Sequence, residues 1–174
     1  IGMKRVLILG GYGNFGGYIA RALAPDPAIQ LVIAGRSIDK AQAFAATLDA
    51  ANRAEAAALD IAGNFASALA TFAPDMVIHT VGPFQNQDYR VAEAAIAARA
   101  HYCDLADARA FVRDIGVLDD AARAAGVAVI AGASSGVVMF GAGLFVLAIT
   151  KIVFDVGLGS WIADHVPYER RGRV

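Results

Sequence analysis

The stretch Arg5–Leu23, RVLILGGYGNFGGYIARAL, decides how the rest of the chain is read. Val6–Leu9 is a short run of large apolar side chains, the pattern of a strand covered on both faces. A knot of glycines follows. From Asn14 the apolar spacing turns helical, with Ile19, Ala20 and Leu23 on one face. Strand, glycine turn and helix in that order open a βαβ unit. Within it, Gly11-Tyr12-Gly13-Asn14-Phe15-Gly16 satisfies G-x-G-x-x-G. Gly11 allows a tight turn, Gly13 keeps a Cβ out of the path of a pyrophosphate, and Gly16 lets the helix pack close to the strand. Asn14 and Phe15 start a helix whose free N–H groups and positive dipole end favour phosphate. A glycine-rich turn with no ligand is the plainer alternative, and the strand before and helix after it weigh against that.

The same rhythm continues downstream. Strands are expected at Leu31–Ala34, Ala56–Leu59, Met76–Val81, His101–Leu105 and Val127–Ala131. Helices are expected at Asp39–Leu48, with Ala43, Phe44 and Leu48 inward, and at Asn64–Phe72 and Asp88–Ala100. A single long helix over Ala110–Ala125 stops at Gly126. Short apolar strands alternating with helices give an α/β fold, a doubly wound, mostly parallel sheet of about six strands in the order 3-2-1-4-5-6.

Composition narrows the partners. The chain has 174 residues, 57% of them hydrophobic and 18% charged, with a net charge of −1. No basic field points to nucleic acid. A single cysteine, Cys103, rules out an internal disulfide and suits a reducing, cytoplasmic setting. The apolar run in IGMKRVLILG is too short for a signal peptide. No His/Cys/Asp/Glu spacing suggests a metal.

The cofactor is narrowed at the end of the second strand. A carboxylate there would bond a ribose 2′-hydroxyl, as in NAD enzymes; this chain has Gly35-Arg36-Ser37. An arginine fork suits a 2′-phosphate, and Ser37 adds a hydroxyl, so NADP is expected over NAD. The alternative is a solvated loop arginine. Asp39 reads as a helix cap or a first-turn acid. Asp60 ends the third strand, either bordering the adenine or simply starting a loop. Thr80, Val81, Gly82 and Pro83 end the fourth strand on the sheet edge where ligands bind, so they are expected to line the cofactor. His79 inside the apolar run reads as a core residue rather than a catalyst. Cys103 reads as a buried filler.

With these pieces in place, the chain resembles the NADP-binding Rossmann domain of the saccharopine dehydrogenase-like oxidoreductases over residues 3–136. The resemblance rests on VLILGGYGNFGGYIARAL, LVIAGRSIDKAQAFA, HTVGPFQNQDYRVAEAAIAARAHYCDLAD and AGVAVIAGASSGV. Its most specific part is the turn Gly82-Pro83-Phe84, followed by a helix and His101-Tyr102-Cys103-Asp104. It implies nicotinamide-linked hydride transfer at a C–N bond on a small-molecule substrate that the resemblance does not name. It also implies a second domain after the sixth strand, which shapes the substrate pocket and contributes to a homodimer. Asp107 is the nearest match to an acidic residue the family often carries. Asp104 and Asp107 are the candidate catalytic carboxylates, with Tyr102, Ser134 and Ser135 nearby; Asp104 capping a turn is the alternative.

After Gly136 the strand–helix rhythm stops. Val137–Thr150 is an uncharged apolar run, and the chain ends ADHVPYERRGRV. These residues, 137–174, resemble a segment of major facilitator transporters, with Arg170, Arg171 and Arg173 on a cytoplasmic side. A fused remnant, a membrane-contacting tail and a helix packed on the sheet all remain open. So do a non-catalytic dinucleotide-binding module and a membrane-tethered fragment, because the family's second domain has no counterpart in the sequence.

Overall fold

The structure is a computed structural model, and it describes residues 2–132. The strands are β1 (Lys4–Leu9), β2 (Ile29–Gly35), β3 (Glu55–Ala58), β4 (Met76–His79), β5 (His101–Asp104) and β6 (Val129–Ile130). The helices are α1 (Asn14–Leu23), α2 (Ile38–Ala45), α3 (Phe65–Thr71), α4 (Arg90–Ala97), α5 (Arg109–Asp114) and α6 (Asp119–Ala125). All six strands are parallel, in the order β3-β2-β1-β4-β5-β6. This is the doubly wound Rossmann-like architecture expected from the rhythm of the sequence. The strand order reverses between β1 and β4, which opens a crevice at the carboxyl ends of those two strands.

Both faces of the sheet are buried, which explains the unbroken apolar runs. Val6 and Ile8 of β1 and Leu31 and Ile33 of β2 face Ile19, Ala20 and Leu23 of α1. Leu7, Leu9, Val32 and Val77 face the other way, against Phe65, Leu69, Val91, Ala95 and Phe111 from the later helices. A period-two strand thus feeds two cores at once.

Two expectations are corrected. Residues 110–125 do not form one helix. α5 ends at Asp114, a 3₁₀ turn spans Ile115–Leu118, and α6 begins at Asp119. Phe111, Ile115, Leu118 and Ala122 stay buried throughout, so the apolar spacing hides the break. Gly116 is a poor helix interior residue, and Asp119 and Asp120 are better placed in a first turn, where they meet the positive dipole end. In α2, Ala43 is exposed and Ala41 is the buried residue. The cap of that helix is Ser37, whose Oγ accepts the Lys40 N–H at 3.3 Å; Asp39 is a first-turn acid. Among the described residues, no helix is long and apolar enough to cross a membrane.

Candidate functional site

The crevice is built from the glycine turn upward. The left-handed residue of the turn is Gly10, at φ +79°, one position before the motif. A Cβ there would fall 2.7 Å from Thr80 Oγ1. Thr80 in turn donates that hydroxyl to the Leu9 carbonyl at 2.8 Å, so the ends of β1 and β4 are latched together. At Gly16 a Cβ would drive into the Gly10 carbonyl, with its carbon at 2.8 Å and Gly11 Cα at 2.9 Å. Gly16 therefore serves the close approach of α1 to the turn, as the motif requires. Gly13 is different: a Cβ there would meet only the Gly10 oxygen, at 3.1 Å, and the residue is exposed.

The start of α1 is open to an anion. Gly13 caps it in extended conformation with no side-chain bond, and its first turn holds no acid. Asn14 and Phe15 are exposed. Their N–H groups and that of Gly16 have no acceptor among the described residues. Three free donors, a positive dipole end and no competing carboxylate fit a pyrophosphate.

At the end of β2, Arg36 is exposed and its guanidinium has no partner among the described residues. Ser37 follows it at the cap of α2. Tyr12, from inside the glycine motif, reaches over to this loop: its hydroxyl accepts the Ser37 N–H at 3.1 Å. The sequence pattern gave no sign of this contact, because it joins two loops across the sheet edge. Asp60 is exposed and its Oδ1 accepts the Ala62 N–H at 3.0 Å, a local turn bond. Past β4, the Gly82-Pro83 peptide is cis, and Gln87 Nε2 donates to the Val81 and Pro83 carbonyls at 2.7 and 3.0 Å. Gly82 and Pro83 are exposed beside the crevice, and Val81 is half-buried.

The two candidate carboxylates differ sharply. Asp104 is fully buried, and its Oδ1 accepts the N–H groups of Ala106 at 3.0 Å and Gly132 at 2.8 Å. Burial raises its carboxyl above the ordinary value, with those two N–H groups pulling it down. This geometry is the turn cap, tying the end of β5 to the second residue after β6. Asp107 is exposed, and its Oδ1 accepts from Gln85 Nε2 at 3.5 Å, across to the loop after β4. Of the pair, only Asp107 is exposed to solvent. Tyr102 and His79 form a buried pair, with Nδ1 3.1 Å from the phenol oxygen. Burial lowers the His79 value to about 4, so its ring is neutral. Cys103 is buried and burial pushes its thiol up, out of nucleophilic range. Ser134 and Ser135 lie outside the described residues, as does the whole segment 137–174.

A parallel sheet, a phosphate-ready helix start and a cationic β2 end define a dinucleotide-binding domain of the dehydrogenase kind. The chain belongs to the family described as the saccharopine dehydrogenase NADP binding domain, whose model matches residues 6–130. Among solved structures, an apo saccharopine dehydrogenase (L-Glu forming) from Saccharomyces cerevisiae matches at 25% identity and TM-score 0.56, over 74% of this chain and 27% of that one. GenD2 from gentamicin A biosynthesis, in complex with NAD, matches at 23% identity and TM-score 0.55, over 76% and 35%. A hydroxysteroid dehydrogenase from Escherichia coli shares the fold at 14% identity and TM-score 0.54, over 75% and 74%. No curated protein matches. The chain thus spans about a quarter of the length of the yeast enzyme, and the family match ends at residue 130, short of residues 137–174, where the transporter resemblance has no support from the comparisons.

Proposed function

We propose that this chain is the cofactor-holding part of an NADP-dependent oxidoreductase. The observation that carries the reading is the combination of donors at the start of α1 and Arg36 at the end of β2, none of them paired among the described residues. The N–H groups of Asn14, Phe15 and Gly16 bind the pyrophosphate, and Gly13 leaves it room. Arg36 and Ser37 take the 2′-phosphate. The exposed turn from Val81 to Pro83 flanks the nicotinamide end, and Asp107 is the carboxylate placed to orient a substrate or move a proton. When bound, the cofactor supplies the hydride.

Calorimetric titration of the full chain with NADPH and NADH tests this. NADPH is expected to bind more tightly, by about tenfold to a hundredfold, the range of a charge-assisted contact. Arg36→Asp should reverse the order, since a carboxylate repels the phosphate and accepts from the ribose. Equal affinities, or an Arg36→Asp chain that still prefers NADPH, would sink the proposal.

A further inference from the structure

Tyr12 occupies a position that the glycine motif leaves variable, yet the structure gives it a specific post. It is half-buried, with its ring laid over Gly35, the last residue of β2. A Cβ at position 35 would fall 2.5 to 2.7 Å from Tyr12 Cε1, Oη and Cζ, so only glycine admits the ring there. The Tyr12 hydroxyl accepts the Ser37 N–H at 3.1 Å. The phenol therefore touches the residue before Arg36 and the residue after it.

A phenol carries one proton as well as lone pairs. Here the Ser37 N–H uses a lone pair, and the proton finds no acceptor among the described residues. Accepting an N–H also polarises an O–H and makes it a stronger donor. What the loop holds is thus a half-used, primed donor and an exposed arginine, Arg36, whose guanidinium has no partner among the described residues. The acceptor that satisfies both is an anionic oxygen, and a phosphate offers several. An unphosphorylated ribose offers only a neutral hydroxyl, which leaves the guanidinium without its counter-charge.

We infer that Tyr12 is a specificity-determining residue, its hydroxyl donating to the cofactor's 2′-phosphate alongside Arg36. This rests on the NADP reading above. It makes the glycine turn a part of 2′-phosphate selection as well as of pyrophosphate binding, with Gly35 the residue that makes room.

The test is calorimetric titration of the full chain and its Tyr12→Phe variant with NADPH, NADH, adenosine 2′,5′-bisphosphate and 5′-AMP. Phenylalanine keeps the ring over Gly35, and urea unfolding of the variant checks that the fold is intact. Tyr12→Phe should weaken NADPH and the bisphosphate by about tenfold and leave NADH and 5′-AMP within about twofold, as for loss of one charge-assisted hydrogen bond. In an Arg36→Ala background the same step should still weaken NADPH, by a factor that differs from the wild-type one because both groups share the phosphate. Unchanged NADPH affinity, or an equal loss for NADPH and NADH, would overturn the inference. So would the absence of any further loss in the Arg36→Ala background, which would make Tyr12 only a support for the arginine. A wild-type chain with no preference for NADPH would overturn the cofactor reading itself. A preference undiminished by Tyr12→Phe but lost in Arg36→Ala overturns the Tyr12 role alone.

Discussion

At the scale of single residues, the glycines of the turn do different work although they look alike in sequence. Gly16 is demanded by the protein itself, because its Cβ would meet the Gly10 carbonyl and the Gly11 backbone, neither of which can move aside. Gly13 faces open space apart from one oxygen at 3.1 Å. Gly16→Ala should therefore destabilise the fold by about 2 kcal/mol or more, the scale of overpacking. Gly13→Ala should cost less stability while weakening NADPH binding. Urea unfolding and calorimetry on the two variants check this; equal stability losses would contradict it. The motif's spacing made these positions legible. It did not show that Gly10 carries the turn's positive φ, or that Tyr12 leaves the motif to bridge Gly35 and Ser37, because both follow from neighbours far away in the chain.

At the scale of elements, β6 is a two-residue strand, and its attachment depends on a buried carboxylate. Asp104 holds the N–H groups of Ala106 and Gly132 with one oxygen. Asp104→Ala strands both donors in the interior and should cost about 2–4 kcal/mol, whereas Asp104→Asn keeps an acceptor and should cost less. Unfolding midpoints and hydrogen exchange at the Gly132 amide read the effect; an exchange rate there unchanged by Asp104→Ala would refute the stitching role. Most strands and helices were visible from apolar periodicity, and Gly126 stopped α6 as expected, at φ +71°. The break between α5 and α6 was not visible, since Phe111, Ile115, Leu118 and Ala122 keep a helical spacing across it.

At the scale of the whole molecule, the buried His79 links folding to pH. Its ring is held neutral, with a value of about 4 against the ordinary 6.5. A lowered value means that the unfolded chain takes up the proton first as the medium acidifies. Stability is therefore fully present above about pH 6.5 and lost as pH falls toward 4, by about 2 kcal/mol between pH 7 and 5. His101, also lowered by burial, acts in the same direction. Asp104, raised by burial, acts in the opposite one. Urea unfolding at pH 7 and pH 5 should show this loss in the wild type and a smaller one in His79→Phe; equal slopes would rule it out.

The sequence by itself determined the architecture and the kind of ligand. Apolar runs of strand length, helical spacing between them and a glycine knot at the first turn are local patterns, and local sterics and burial suffice to read them. Arg36 was legible for the same reason, at a fixed distance past the knot. The tertiary structure alone decided which of these residues are free to act. Thr80 and Asp104 spend their polar atoms on the fold, Asp107 and Arg36 remain exposed, and Tyr12 becomes part of the Arg36 loop. Those outcomes depend on which strand ends lie side by side, and a hydrogen-bonding group is available to a ligand only where the packed chain has not already paired it.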